Sequence, residues 1–164
     1  MSEPPGIVTQ RGIRGVLSSV RELRSHPKTS APDVEGTANM RIVRFSAGED
    51  GACWFSELEI SYPNQLAGYG LAMSASLASP ALEFTTLPEG LEQGLHPVPR
   101  RQLVVVLRGT LEVGTPDGQR RQFQPGDIFL ADDADTPGHT TRTIDGATEL
   151  LWISLPEGDA WETR

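Results

Sequence analysis

A single cysteine, Cys53, stands in the whole chain, so no intrachain disulfide can form and no paired-cysteine zinc site can be built. It reads as a small buried hydrophobe or as a reactive thiol, the first being the commoner use. No apolar run approaches the roughly 18 residues that cross a bilayer, and no apolar leader follows the polar, Pro-rich start. The expectation is a soluble cytoplasmic chain with no membrane partner. Positive charge is also scarce: 14 Lys and Arg against 22 Asp and Glu give a net charge of −8, a poor match for nucleic acid or an anionic membrane. No phosphate-cradling glycine loop and no Ser-His-Asp spacing occur. These absences leave a small molecule as the expected partner.

Turn formers, by contrast, abound. With 17 Gly and 13 Pro in 164 residues, the chain has the size of one domain and the punctuation of many short connections. Residues 1–39 read as an arm: Ile13, Val16, Leu17, Val20 and Leu23 recur at helical spacing up to about Ser25, and Pro27, Pro32 and Gly36 then mark a linker. His26 within it reads as a surface residue, and the helix as a docking element for the barrel or a second subunit. From 40 to 164 the pattern is all-β. Strands are predicted at Arg41–Ala47, Ala52–Ile60, Tyr69–Ala75, Ala81–Thr86, Arg101–Arg108, Thr110–Gly114, Gln119–Gln124, Asp127–Ala131, Thr140–Ile144 and Thr148–Leu155. The Thr115-Pro116-Asp117-Gly118 segment has the chemistry of a tight hairpin turn, and Gly109 and Gly126 mark further bends. With no helix between the strands, a parallel α/β layout is improbable, and closure into a barrel or sandwich disposes of the sheet edges.

Two of only three histidines sit beside the strongest strand and turn signals, His96 ahead of Gln102-Leu-Val-Val-Val and His139 after Pro137-Gly138. If the segment is extended throughout, His96, Val98, Arg100, Gln102, Val104 and Val106 share one side, so His96 and Gln102 project into one cavity with Arg100 between them. His139 would arrive from a strand across the barrel. Two imidazole nitrogens and an amide oxygen make a candidate site for a first-row divalent metal. The alternative is a pair of satisfied interior histidines in a metal-free pocket, with Gln102 bonding a ligand. Arg100 is a candidate catalytic residue that would meet a substrate carboxylate or phosphate, or else form a salt bridge with a loop aspartate. Asp133 and Asp135 are close enough in sequence to orient His139 or act as a general base, the other reading being a solvated acidic loop. Trp54, Tyr69, Phe84, Phe129 and Trp152 are candidates for the pocket wall.

The run from His96 to Gly109, followed by Pro125-Gly126-Asp127 and His139, resembles the two motifs of the cupins, and the resemblance extends over roughly Arg41 to Leu155. His96 matches the first histidine, Gln102 falls at the glutamate position, Gly109 follows at the family's interval, and His139 corresponds to the histidine of the second motif. Val98 replaces the second histidine, Gln102 replaces the acid, and Asp132-Asp133-Ala134-Asp135 lengthens the approach to His139. The chain is most similar to small single-domain bacterial cupins with a His-Pro-x-Pro-Arg-Arg-Gln segment. The resemblance implies a double-stranded β-helix (jelly-roll) barrel, a homodimer, and a mononuclear iron, manganese, nickel or zinc ion on His96, Gln102 and His139. A Lewis-acid enzyme is then expected, its chemistry isomerisation, cyclisation, decarboxylation or reaction with oxygen. A metal-free ligand-binding cup and a metal-free acid–base catalyst using His139 and Asp133 stand as alternatives.

Overall fold

The computed structural model describes residues 39–66 and 69–156. The helix expected between Ile13 and Leu23, and the linker as far as residue 38, lie outside the described residues. Among the described residues the chain forms twelve strands and no helix: β1 Met40–Ala47, β2 Cys53–Ile60, β3 Asn64–Leu66, β4 Leu71–Met73, β5 Leu82–Leu87, β6 Glu92–His96, β7 Gln102–Arg108, β8 Leu111–Gly114, β9 Arg120–Phe123, β10 Ile128–Asp132, β11 His139–Thr143 and β12 Thr148–Ser154. All ten expected strands are present with shifted ends. The sequence reading omitted β3 and β6, and the stretch expected at Tyr69–Ala75 shrinks to β4, which pairs with β3 in an exposed hairpin.

Ten of these strands make two sheets. One runs β2-β1-β10-β7-β12-β5 and the other β6-β11-β8-β9. β1 and β10 run parallel, while the other ladders are antiparallel. Alternation decides what lies between the sheets: in β7, Gln102, Val104 and Val106 are buried while their neighbours are partly exposed, and in β11 His139, Thr141 and Thr143 are the buried set. Phe45, Val104, Val106, Phe129 and Leu150 from the larger sheet meet Leu111, Val113 and Phe123 from the smaller one in a single core. A second apolar cluster, of Ile42, Leu58, Ile60, Leu130 and Leu155, lies on the opposite side of the larger sheet, so that sheet is apolar on both faces.

The turns hold the layers in register. Pro125-Gly126-Asp127 closes onto β7: the Gly126 N–H donates to the Val106 carbonyl, the Val106 N–H donates to the Asp127 carbonyl, and the Asp127 carboxylate accepts from the Gln124 N–H. Gly109 must be glycine because its φ is +76° and a Cβ there would lie 2.5 Å from the Ala147 carbonyl oxygen.

One acid is buried in the outer face of the smaller sheet. Glu112 of β8 stands directly opposite Arg142 of β11 and Gln122 of β9 in the two ladders. Its carboxylate accepts from Arg142 Nε at 2.8 Å, Arg120 Nη1 at 3.0 Å and Gln122 Nε2 at 3.1 Å. Chiefly through Arg142, these bonds pull its carboxyl down from 4.5 to about 2. A carboxyl depressed by folding stabilises the fold above its unfolded value and loses that contribution as pH falls towards its folded value. Because both arginines are half exposed, the contribution is discounted to about 1–2 kcal/mol. Resistance to urea should therefore weaken as pH drops from 4.5 towards about 2, and Glu112→Gln should flatten that dependence. A Glu112→Gln curve as steep as that of the unaltered chain would remove the assignment.

Candidate functional site

His96 ends β6 and His139 begins β11, and the two are directly opposite in the ladder joining those strands. Their ring centroids are 4.6 Å apart with the planes inclined at 47°. This close approach depends on Gly138, whose φ is +98° and whose missing Cβ would occupy the space of the His96 carbonyl and the Pro97 nitrogen. Backbone thus takes the place of a side chain, and β11 is drawn against the end of β6.

Each imidazole is held through Nδ1. His96 Nδ1 lies 2.8 Å from the Gly94 carbonyl oxygen, and His139 Nδ1 lies 2.7 Å from Asp133 Oδ2. A carbonyl oxygen and a carboxylate only accept, so Nδ1 carries the proton in both rings and Nε2 is left as the lone-pair nitrogen. Asp133 is fully buried, and its Oδ1 accepts from the Val98 N–H at 3.1 Å. The Asp133 carbonyl accepts from both the N–H and the hydroxyl of Thr136, and Thr136 Oγ1 in turn accepts from the Gly138 N–H. Asp133 is thus hydrogen-bonded to His139, whereas Asp135 is exposed. Cys53 is sealed in the core beside Asp133, and burial first, then the charge of Asp133, pushes its thiol up to about 12. A thiol so held is a poor nucleophile, in keeping with the buried-hydrophobe reading.

Gln102 opens β7 and is 4 % exposed, and its Oε1 has no hydrogen-bond partner among the described residues. It shares with both histidines a cavity of about 220 Å³. Phe45, Val98, Val104, Leu111, Phe129 and Trp152 supply apolar wall, and Gln93 and Thr141 add polar groups that the sequence reading missed. Phe45 packs its ring 4.6 Å from that of His139.

Arg100 does not reach this cavity. The extended backbone expected from His96 to Gln102 is broken between β6 and β7, so the two-residue alternation fails there. Arg100 is exposed and paired with Glu83 of β5, neither directed at a cavity anion nor bonded to a loop aspartate. Three of the expected wall residues also lie elsewhere: Tyr69 and Phe84 are each 75 % exposed, and Trp54 is turned to Asp50, to which its Nε1 donates at 2.9 Å. Of the five, Phe129 and Trp152 line the cavity.

Among the described residues, no three His, Cys, Asp or Glu side chains are grouped as a metal site. A set that counts Gln102 does share one cavity: His96 and His139, each ring oriented by an acceptor at Nδ1, and Gln102, whose amide oxygen is buried and has no partner among the described residues. Nitrogen and neutral-oxygen donors with such outer support fit a first-row divalent ion.

Two sheets of six and four strands enclose a cavity that receives the first motif from β6 and β7 and the second from β11, with Pro-Gly-Asp closing the turn before β10. The chain has the cupin fold. No protein-family model matches it, and no curated protein does. Among solved structures the chain is similar to a cupin domain from Bordetella pertussis Tohama I, at 20 % identity over 46 % of this chain and 80 % of that one, with a TM-score of 0.36. It is also similar to a cupin superfamily protein from Desulfitobacterium hafniense, at 14 % identity over 77 % and 90 %, TM-score 0.36. A sugar phosphate isomerase from a cupin superfamily, of Silicibacter pomeroyi, shares 17 % identity over 73 % and 72 %, TM-score 0.38. Among the described residues, no helix is long and apolar enough to cross a membrane.

Proposed function

We propose that the barrel cavity is the active site of a small-molecule enzyme in which His96, Gln102 and His139 hold one divalent transition metal. The observation that carries this reading is the pair of imidazoles, 4.6 Å apart, each with its Nδ1 proton committed to an oxygen and its Nε2 lone pair uncommitted. A metal bound there supplies Lewis acidity to a carbonyl or enolate oxygen, or a centre for oxygen chemistry if it is iron. The chain's own residues do the rest. Asp133 fixes the tautomer and tilt of His139, and the largely apolar wall excludes water and selects a substrate with an apolar body and an oxygen-bearing head. With a neutral glutamine at the third position, the donor set leaves the metal more electron-poor than a carboxylate would, which favours Lewis-acid chemistry.

The buried Asp133–His139 contact also supports a second reading, a metal-free acid–base catalyst. In that case His139 Nε2 would take a substrate proton while Asp133 stabilises the imidazolium. Metal analysis separates the two. Protein purified without chelator or histidine tag is expected to carry near-stoichiometric iron, manganese, nickel or zinc by plasma mass spectrometry, lost in folded His96→Ala and His139→Ala variants. Wild-type protein that carries none and takes up none of the four when they are added would overturn the metal reading and leave the acid–base one.

A further inference from the structure

Two rungs of the β6–β11 ladder face the cavity. One is the histidine pair, and the other sets Gln93 directly opposite Thr141, about 7 Å further along the strand. Between them β11 spends one residue, Thr140, while β6 spends two, Gly94 and Leu95, so β6 is bulged. A regular ladder continued from the histidines would set Gly94 opposite Thr141 and turn Glu92 inward. The bulge shifts the pairing by one residue: Gln93 takes the inward place, and Glu92 moves to the outer face opposite Arg142. It also fixes His96, because the oxygen that accepts from His96 Nδ1 is the carbonyl of the bulged Gly94. One irregularity therefore orients a histidine, admits an amide to the cavity and removes a carboxylate from it.

Among the described residues, no side chain lining the cavity is Lys, Arg, Asp or Glu, and Asp133, though bonded to His139, is no part of the wall. Gln93 is accessible on the edge strand β6, and Thr141 is buried opposite it. Neither the Gln93 side-chain amide nor the Thr141 hydroxyl makes a hydrogen bond to another described residue. Each can donate and accept, so together they match a hydroxyl or a carbonyl equally well. A full charge brought to the same rung would lose its water and find no counter-charge in the wall. We propose that Gln93 and Thr141 are the specificity-determining pair of the site, holding an uncharged hydroxyl or carbonyl of the substrate set apart from the oxygen that meets the metal. The substrate class is then a small, apolar-bodied molecule with two separated oxygen functions, one at the histidines and a neutral one at this rung. A phosphate or carboxylate carried at the second place is excluded. The size agrees, since about 220 Å³ is below the roughly 300 Å³ at which pockets for drug-sized ligands begin. The inference rests on the metal reading for the place of the first oxygen, and on the bulge and the uncharged wall for the second.

The test uses the full chain loaded with cobalt and hydroxamic acids of graded chain length, each length made with a hydroxyl, a methyl or a carboxylate at the far end. Changes in the cobalt absorption bands report binding. At the best-fitting length the hydroxyl-ended acid is expected to bind about tenfold tighter than the methyl-ended one, the effect of one well-made hydrogen bond. The carboxylate-ended acid is expected to bind more weakly than either. In Gln93→Leu/Thr141→Val the preference for the hydroxyl should vanish while the methyl-ended acid binds as before, which a merely structural role would not produce. A preference unaltered in the folded double variant overturns the proposal, and so does a carboxylate-ended acid that binds as tightly as the hydroxyl-ended one. If the unaltered chain takes up no cobalt, it is the metal reading that falls, and the rung is judged without it. In nitrogen-15-labelled protein the Gln93 side-chain amide signals, identified by their loss in Gln93→Leu, should then shift with added cyclohexanol and not with cyclohexanecarboxylate. The reverse order, or no shift with either, overturns the assignment.

Discussion

On the proposed metal reading, Asp133→Asn should give a folded protein that binds no metal and carries His139 in the opposite tautomer. In the unaltered chain both carboxylate oxygens accept, one from the Val98 N–H and the other from His139 Nδ1. An asparagine can keep only one of these bonds. If its oxygen stays with Val98, its NH₂ group meets His139 Nδ1, which must give up its proton and accept; the proton then sits on Nε2 and removes the lone pair from the cavity. If the amide turns the other way, two N–H groups face each other at Val98. The second arrangement costs about 1–3 kcal/mol for the mismatched buried donor, so the first, with the proton on Nε2, is the one expected. Asp133→Ala should cost more, about 3–5 kcal/mol, because it leaves two buried donors unsatisfied and opens a void. Ring nitrogen-15 shifts read the tautomer directly, and urea unfolding reads the stability. An Asp133→Asn protein with an unchanged His139 tautomer and full metal content would refute this role for the carboxylate.

Replacing Gly138 with alanine is expected to be comparably severe, although it adds one carbon and touches no charge. The new methyl would overlap the His96 carbonyl and the Pro97 nitrogen, which are backbone atoms and cannot swing aside, while φ at +98° is itself unfavourable for a side chain. Strained backbone and overpacking each cost about 1–3 kcal/mol, so about 4 kcal/mol is expected. The relief available is to part β11 from β6, which separates the two imidazoles. A useful control is Gly118→Ala, since Gly118 also has a positive φ but nothing lies within 4 Å of its would-be Cβ. It should show the conformational strain alone. Thermal unfolding of both variants, with metal content measured on whatever remains folded, distinguishes a general turn effect from the specific contact; equal destabilisation would dismiss the contact.

Much of this was legible in the sequence because strands with one buried face write a two-residue period. β7 shows it best, and its inward set of Gln102, Val104 and Val106 is the one the alternation picks out. The failures have physical causes as definite as the successes. β6, with the sequence Glu-Gln-Gly-Leu-His, is exposed along most of its length and so carries no apolar period to read. The prolines at 97 and 99 favour extended backbone, which made the segment look like a continuation of β7; in the fold they interrupt the ladder, and Arg100 leaves on the outer side to meet Glu83. Asp133 looked like one of three acids in a polar loop. What distinguishes it from Asp135 is a set of contacts with Val98 and His139 that no local pattern records. Tyr69 and Phe84 misled in the opposite way, since an aromatic residue in a strand suggests interior, whereas Tyr69 lies in a turn ahead of β4 and β5 lies at a sheet edge.

The order of strands in the larger sheet bears on how the protein must be made. Reading across it, β10 separates β1 from β7, and β12 separates β7 from β5. Each of those earlier strands therefore leaves the ribosome before its neighbour has been translated. Until β10 and β12 emerge, β2 is the one described strand to which β1 can zip, and β5 and β7 wait with open edges and apolar side chains on both faces. Such a nascent chain is prone to mispairing and to capture by holding chaperones. The cup also has no half-built stage: His139 of β11 and Trp152 of β12 follow every other described strand, so the two histidines and the pocket wall come together at one step.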